Sequence, residues 1–327
     1  MKKIVVFILL ICVSCQKDNQ LQKNLTSGQV FGTYYNIQFF DTKPVDFSKQ
    51  YDSLFAVINK SMSTYIPTSD ISKINSNDTT IVVDHHFKKV YSLSKEIYQT
   101  TNGFFDPTIG VLVNAWDFGP EGKIVGLDSL KVDSLLNYVG FDKVALVSNK
   151  IKKHPHTYID FNAIGKGYGL DVISDFLDSK GYNNYLIDIG GEIVARGTNL
   201  LRQKDWSIGI EKPNFDGSQS QQTAVALHDQ AMATSGVYRK FKTDANGKRY
   251  AHIIDTKTGY PSKTNILSVS VIAPTCAVAD AYATAFKAMG INKVKEVLMQ
   301  HPELKVYFIY EDDNNQLQTL ALNNFPE

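Results

Sequence analysis

Apolar and polar positions repeat with two different periods along this chain. Runs in which alternate residues are apolar or β-branched predict strands, whereas apolar residues spaced three and four apart predict amphipathic helices. The predicted strands are residues 34–40, 80–83, 144–147, 158–161, 185–189, 206–210, 224–227 and 267–272. The predicted helices are residues 47–60, 87–100, 130–139, 166–179, 277–289 and 291–299.

The order of these elements indicates the fold class. Strands and helices do not alternate strictly, as they would in a parallel α/β protein, and no internal repeat is visible. The sequence therefore predicts an α+β fold, with mixed sheets flanked by helices in one large body. The polar tract 214–222 is predicted to be a loop within that body.

The N-terminus predicts export. Two lysines precede an apolar run over residues 4–13, which is followed by Ser14, Cys15 and a polar segment. That run is too short for a permanent membrane span. A small residue directly before a cysteine resembles a bacterial lipoprotein signal, so residues 1–14 are predicted to be a signal peptide, Cys15 the lipidated residue, 15–28 a flexible tether and 29–327 the folded domain. An ordinary signal peptide and an uncleaved anchor remain alternatives.

Composition narrows the function classes. The 327-residue chain is 43% hydrophobic with a formal net charge of +1, and it has neither a basic stripe nor an aromatic ladder. These features argue against nucleic-acid binding. If Cys12 is removed and Cys15 acylated, Cys276 has no partner for a disulfide. Stability must then come from the hydrophobic core.

The alanine-rich helix near the C-terminus carries the first candidate chemistry. Asp280 and Thr284 are four residues apart in ADAYATA, residues 279–285, and so lie on one helix face among small neighbours. Two hard oxygen atoms in such a place could hold Mg²⁺ against a phosphate. The alternative is that Asp280, Thr284 and Lys287 form the solvated stripe of an amphipathic helix.

A second candidate is the strand-to-helix segment DFNAIGKGYG, residues 160–169. Lys166 lies near the first helical turn, where unpaired backbone N–H groups attract anions. DIGGE, residues 188–192, follows the next strand, and Gly190 and Gly191 allow close backbone approach to a ligand. Each segment alone could equally be an ordinary turn.

Two further motifs are rich in aromatic or hydroxyl groups. Phe104 and Phe105 in a turn-forming segment could supply walls for a planar ring, or they could be core. Thr234 and Ser235 precede a basic hairpin, 240–249, with Asn246-Gly247 as its predicted turn. Their hydroxyls could bind phosphate or could satisfy backbone groups in a buried turn.

Taken in order, these segments resemble a known family. The motifs are FGTYY (31–35), MSTY (62–65) with SDISKIN (69–75), GFFDPT (103–108), DFNAIGKGYG (160–169), DIGG (188–191), ATSG (233–236), HIID (252–255), and Asp280 with Thr284. In this order they resemble the ApbE family of FAD:protein FMN transferases. The sequence departs from the family pattern at Phe31, where Met is frequent, at Glu192, where Asp is frequent, and at Thr256-Lys257, where Pro-Arg is frequent.

The resemblance implies an exported, magnesium-dependent enzyme that uses FAD as its substrate. Such an enzyme transfers the FMN moiety through a phosphodiester bond to a Thr or Ser hydroxyl of an acceptor protein and releases AMP. The implied acceptors are subunits of membrane electron-transfer complexes. The implied location is a lipid-anchored lipoprotein facing the periplasm.

The resemblance also assigns the site residues. The implied metal ligands are the Ala163 carbonyl and the side chains of Asp280 and Thr284. We interpret His252 as the catalytic base, with Asp255 orienting it or assisting the metal. The alternative is that His252 is a histidine simply hydrogen-bonded in the core. The residues expected to contact FAD are Phe31, Tyr65, Phe104, Phe105, Asp106, Lys166, Gly190, Gly191, Thr234, Ser235, His252 and Ile254.

Two other functions fit the same residues. One is an FAD pyrophosphatase, in which water replaces the acceptor hydroxyl and free FMN and AMP are released. The other is a lipoprotein that binds FAD without catalysis. A metal aimed at the diphosphate argues against simple storage, because a store has little need of it.

Overall fold

The computed structural model describes residues 20–237, 241–243 and 249–326, with backbone alone for 241–243 and 249–251. The predicted signal peptide 1–14, the lipidation site Cys15 and the turn Asn246-Gly247 lie outside the described residues. No helix among the described residues is both long enough and apolar enough to span a bilayer.

Eight helices and fourteen strands occur in the described parts of the chain. The helices are α1 (Ser48–Met62), α2 (Asp70–Asn75), α3 (His85–Thr100), α4 (Gly110–Ala115), α5 (Ser129–Leu136), α6 (Asn162–Ser179), α7 (Cys276–Met289) and α8 (Ile291–Leu298), with one 3₁₀ turn at Phe141–Lys143. The strands are β1 (Gln22–Val30), β2 (Thr33–Asp41), β3 (Ala145–Val147), β4 (Lys150–Lys152), β5 (Tyr185–Ile189), β6 (Glu192–Arg196), β7 (Trp206–Glu211), β8 (Gln221–Leu227), β9 (Gln230–Gly236), β10 (Phe241–Thr243), β11 (Arg249–Ala251), β12 (Ile266–Ala273), β13 (Lys305–Glu311) and β14 (Leu317–Leu322).

One antiparallel sheet organises the molecule. Its strand order is β1-β2-β5-β6-β9-β12-β13-β14, and every neighbouring pair is antiparallel. Three two-stranded ribbons, β3–β4, β7–β8 and β10–β11, stand apart from it. This arrangement confirms the predicted α+β class.

Apolar side chains cover both faces of the central sheet. On one face, α7 packs across β9 and β12, and α6 packs beside α7. On the other face, Trp206, Ile208 and Ile210 of β7 pack with Ile193 and Ile272 of the sheet. The sheet therefore lies between a helical layer and the β7–β8 ribbon, which is why its interior strand β12 is buried at every position.

The tether prediction is wrong for residues 22–28. These residues belong to β1, which pairs with β2 from Gln22↔Asp41 to Val30↔Thr33. Because β1 is an edge strand, its outward side chains are polar, and so its sequence resembles coil. The folded body thus begins at least as early as β1.

Two other strand predictions are wrong. Residues 80–83 and 158–161 form no strand, although both are rich in β-branched or aromatic residues. In each segment backbone pairing is limited to isolated contacts, with the Val83 N–H donating to the Asn149 carbonyl and Tyr158 forming a single bridge with Ile109. Strand propensity without a neighbouring strand does not make a ladder.

Candidate active site

A cavity of about 1170 Å³ lies where the eight sequence motifs meet. Most residues predicted to act on FAD or a metal line it. They are Phe31, Tyr65, Phe104, Phe105, Asp106, Ala163, Lys166, Gly190, Gly191, Thr234, Ser235, His252, Ile254, Asp280 and Thr284. The fold therefore gathers one site from segments up to 253 residues apart, from Phe31 to Thr284.

Short hydrogen bonds between loops assemble this cavity. The Asp160 N–H donates to the Pro107 carbonyl at 2.8 Å, which joins the turn at 103–108 to the start of α6. The Thr256 hydroxyl donates to the Gly103 carbonyl at 2.6 Å, which joins the same turn to the His252 segment. These loops are consequently fixed relative to one another by backbone acceptors.

The first turn of α6 faces the cavity. The Asp160 carboxylate accepts the Asn162 N–H at 2.7 Å and so satisfies an amide at the beginning of the helix. Ala163 and Lys166 in this part of the helix both line the cavity. The helix thus begins four residues earlier than the predicted 166–179.

Helices α6 and α7 touch through their backbones at Gly167. A Cβ atom at Gly167 would lie 2.3 Å from the Cys276 carbonyl oxygen, so only glycine fits. The Gly167 N–H donates to Asp280 Oδ2 at 3.0 Å. In an α-helix this N–H points toward the carbonyl of Ala163, four residues earlier. The Asp280 carboxylate therefore lies beside the Ala163 carbonyl.

Asp280 and Thr284 belong to the buried part of α7. Asp280 is 5% exposed and Lys287 is 1% exposed, so these residues are not a solvated stripe. Thr284 Oγ1 lies 3.3 Å from Ser235 Oγ on β9. The alternative interpretation of this helix face as simply solvated is wrong.

The oxygen atoms at this point fit Mg²⁺. A carbonyl, a carboxylate and a hydroxyl converge, and magnesium prefers such hard oxygen ligands together with waters and substrate phosphates. Over the described residues, no three His, Cys, Asp or Glu side chains form a metal-binding group. A metal here would consequently depend on the Ala163 carbonyl and the Thr284 hydroxyl as well as on Asp280.

Lys166 forms an ion pair with the buried side chain of Glu192 beside Asp280. Lys166 Nζ lies 2.7 Å from Glu192 Oε2, and the Glu192 side chain is only 5% exposed. Burial raises the pKa of Glu192 to about 7, although the Lys166 ammonium opposes this shift. Burial also raises the pKa of Asp280. Two carboxyl groups share one ammonium, so a cation would be favoured here.

Lys166 stays charged in this environment. Burial lowers its pKa, but the carboxylates of Glu192 and Asp280 outweigh that effect and raise the pKa overall. About a third of its side chain remains exposed, 33%, and Lys166 lines the cavity. Its ammonium is therefore available to a phosphate group.

Aromatic rings form the walls. Phe31 occupies the two-residue turn between β1 and β2 with a positive φ of 51°, and its ring packs on Phe55 at 5.6 Å between centroids. Phe104 is 8% exposed, and Lys293 Nζ lies 4.4 Å from the centre of its ring. Tyr65 also lines the cavity and is much more exposed than Phe104, at 57%. These rings can contact a flat heterocycle.

Comparison with known proteins identifies the family. The model of the ApbE family matches residues 31–308. The chain belongs to the ApbE family. It is 34% identical to the FAD:protein FMN transferase of Haemophilus influenzae over 333 residues, covering 96% of this chain and 95% of the relative. It is 29% identical to the FAD:protein FMN transferase of Escherichia coli, covering 91% and 87%.

Solved structures of the ApbE family share the fold. The flavin transferase ApbE of Vibrio cholerae matches with a TM-score of 0.83 and 32% identity, over 92% of this chain and 97% of that one. The apo flavinyl transferase ApbE of Pseudomonas stutzeri matches with a TM-score of 0.79 at 23% identity, over 92% and 94%. The second match supports the fold alone.

In this ApbE-family chain, His252 lines the cavity and Asp255 does not. His252 is half-buried on the cavity wall, with its ring centroid 6.3 Å from that of Phe118. Asp255 is not part of the lining, and its carboxylate accepts the Lys257 N–H at 2.8 Å within a turn. That contact supports a turn-stabilising role, and the catalytic role of Asp255 stays a prediction.

Sequence reasoning missed some residues of the site. Glu192 was recognised only as a departure from the family pattern, yet it pairs with Lys166. The five residues 207–211 of β7 also line the cavity. Their alternation predicts a strand, but it does not reveal that this strand meets the cavity, because β7 lies in a separate ribbon.

Proposed function

We propose that this chain transfers the FMN moiety of FAD to a Thr or Ser hydroxyl of an acceptor protein, with Mg²⁺ and with release of AMP. The observation that carries the proposal is the convergence of Ala163, Asp280 and Thr284 beside Lys166 in one cavity. Membership of the ApbE family supports the activity, because its relatives carry the name FAD:protein FMN transferase.

The dimensions of the cavity support a dinucleotide substrate. Its volume of about 1170 Å³ exceeds the roughly 300–1,000 Å³ of ordinary small-molecule pockets. Aromatic walls at Phe31 and Phe104 suit the flavin or the adenine ring.

The Ala163 carbonyl, Asp280 and Thr284 would hold the metal in this proposal. Bound Mg²⁺ would supply charge neutralisation for the diphosphate of FAD. Lys166 would contact the same diphosphate, since phosphoryl transfer depends on positioning and on electrostatic stabilisation. Glu192 holds the Lys166 ammonium in place at 2.7 Å.

His252 would act as general base. The acceptor oxygen forms a bond to the phosphorus on the FMN side, while the bond from that phosphorus to the bridging oxygen breaks. The bridging oxygen leaves on AMP as a phosphate monoester, and the hydroxyl proton passes to His252. An imidazole suits this task because its ordinary pKa lies near neutral pH.

Export as a lipoprotein is part of the same proposal. The sequence motif ending in Cys15 supports acylation there, followed by anchoring of the chain to a membrane with its body in the periplasm.

Replacing His252 tests the proposed chemistry. His252→Ala should slow labelling of a threonine-containing acceptor domain by about 10² to 10⁴, the usual range for general-base catalysis. FAD affinity, measured by flavin fluorescence, should change little, because Lys166 and backbone groups remain. His228→Ala is the matched control, since His228 is exposed and outside the cavity. Labelling by His252→Ala at the wild-type rate would reject the base.

A further inference from the structure

Asp171 joins α6 to the N-terminus of α7. Its Oδ1 accepts the Cys276 N–H at 2.8 Å, and its Oδ2 accepts the Ala277 N–H at 2.9 Å. The carboxylate is buried, with the residue 9% exposed. Both oxygens are thus committed to one helix end.

Helix α7 lacks a cap of its own. Thr275 is its N-cap residue, and the Thr275 side chain makes no capping hydrogen bond. Cys276 and Ala277 are the first two helical residues, whose N–H groups have no partner within the helix. Asp171 replaces the missing local cap and adds a negative charge at the positive end of the helix dipole.

The position of Asp171 along α6 gives this cap a second consequence. Ala163, Gly167 and Asp171 are spaced four apart, so they lie on one face of α6. Ala163 contributes the carbonyl proposed as a metal ligand, Gly167 contributes the N–H that binds Asp280, and Asp171 caps α7. One helix face therefore sets the position of α7 and of the metal ligand on it.

We propose that Asp171 is a positioning residue for the metal site, which holds α7 in the register that brings Asp280 and Thr284 to the Ala163 carbonyl. The inference rests on the proposed function. Asp280 is only three residues beyond Ala277, a rise of about 4.5 Å along the helix. The two helices are in direct contact at Gly167, since even a single Cβ atom would not fit between them there.

Metal binding, measured without turnover, tests this role. Mn²⁺ serves as the probe in an electron paramagnetic resonance titration of the full chain. In Asp171→Asn, one oxygen still accepts an N–H, but the amide NH₂ faces the second N–H and cannot accept it. Residues that orient metal ligands typically contribute 10–100-fold to affinity. We expect Mn²⁺ affinity to fall by about that factor, with FAD affinity in a chelator unchanged.

Two controls separate positioning from general stability. Asp175→Asn makes the same chemical change one turn further along α6, where the side chain is 73% exposed and lies 3.9 Å from Lys89. It should bind Mn²⁺ like the wild type. Asp280→Ala should lose the site. If Asp171→Asn is destabilised but folded and binds Mn²⁺ with wild-type affinity, the cap serves stability alone and the proposal is overturned.

A second measurement needs no variant. Coupling between two sites is reciprocal, so a metal that depends on the cap must also strengthen it. Mg²⁺ should slow hydrogen exchange at the Cys276 and Ala277 amides several-fold more than at amides of β14. Equal effects would overturn the positioning role. If the wild type and Asp280→Ala bind Mn²⁺ equally, the metal site of the proposed function fails, and the positioning role falls with it.

Discussion

Burial, rather than hydrogen bonding alone, sets the acidity of the carboxyl groups around the site. It raises the pKa of Asp106 and Asp171 to about 6 and that of Glu192 to about 7. Asp106 lines the cavity and accepts both the N–H and the hydroxyl of Thr108, at 2.8 and 2.6 Å, through Oδ1. Its predicted contact with FAD thus comes with a structural role in the turn.

Asp106→Asn should change how stability depends on pH. The folded chain keeps the Asp106 proton up to about pH 6, whereas an unfolded chain releases it near 3.8. The contribution of Asp106 to the free energy of unfolding therefore falls as pH rises through that window. Asn keeps an Oδ1 acceptor for both Thr108 groups and stays neutral. The variant should gain stability relative to the wild type between pH 4 and 7, by up to about 3 kcal/mol.

Urea unfolding of the metal-free proteins at several pH values measures this difference. Asp216→Asn is a suitable control because the carboxyl of Asp216 is fully exposed, and hydrogen bonds from Ser218 lower its pKa. Its stability relative to the wild type should not rise with pH over that range. A pH-independent difference between Asp106→Asn and the wild type would contradict the account of burial.

Individual residues were the part of the site most open to prediction. Asp280, Thr284 and Lys166 carry chemistry that is visible in their spacing and in their resemblance to a family. Glu192 was not predicted as a site residue, because its partner Lys166 is 26 residues away and only the fold brings them to 2.7 Å. Contacts of this kind depend on tertiary structure and leave no local signal.

At the scale of elements, the close contact of α6 and α7 is the feature that positions the chemistry. Cys276 of α7 lies against Gly167, and Asp280 reaches the N–H of that same glycine. Because the Gly167 N–H is a backbone group and the Asp280 side chain is short, separating the helices would break the Asp280 contact. The geometry of the site is thus a property of the helix pair.

Gly167→Ala and Gly165→Ala form a matched pair that tests this contact. The added Cβ at Gly167 would meet the Cys276 carbonyl at 2.3 Å, whereas at Gly165 it would meet nothing within 4 Å. Overpacking against backbone should cost Gly167→Ala about 1–3 kcal/mol of unfolding free energy. Gly165→Ala should be neutral or gain up to about 1 kcal/mol from helix propensity. Equal stabilities of the two variants would contradict the contact.

Long periodic elements were predictable, and elements defined by their neighbours were not. The predicted helix 47–60 corresponds to α1, Ser48–Met62, and the predicted strand 185–189 is β5. The strand β6 was missed, because a central strand buried on both faces shows no alternation. The strand β1 was missed because an edge strand carries polar side chains that resemble coil.

On the scale of the whole molecule, the early start of β1 shortens the proposed tether. Only residues 16–21 separate Cys15 from Gln22, and Leu21 already packs against the core. At about 3.5 Å per residue, this segment spans at most about 25 Å. A lipid on Cys15 would therefore hold the start of β1 within that distance of a membrane surface.

Cys15→Ala tests the anchor. The variant should accumulate as unprocessed precursor or as a soluble exported form, because no other residue is placed to receive the lipid. Membrane fractionation and intact-mass analysis of the expressed full chain measure the outcome. A mature, acylated and membrane-bound Cys15→Ala protein would contradict the proposal.

The fold class and the eight motifs in order were accessible from sequence, and the architecture was not. Nothing in the periodicity of residues 206–227 shows that they form a ribbon on the face of the sheet opposite α6 and α7. Likewise, the pairing of β5 with β2, in which Phe39 and Tyr185 are partners 146 positions apart, depends on the complete sheet. Such long-range pairing is decided by tertiary packing rather than by local preference.

In the proposed reaction a protein hydroxyl, and not water, accepts the FMN group. The direct measurement is to incubate the chain with FAD, Mg²⁺ and a threonine-containing acceptor domain while AMP release and acceptor mass are followed together. We expect one AMP to be released for each FMN attached, and neither event when the acceptor threonine is replaced by alanine. Free FMN and AMP forming at the same rate with and without acceptor, while the acceptor gains no mass, would contradict it.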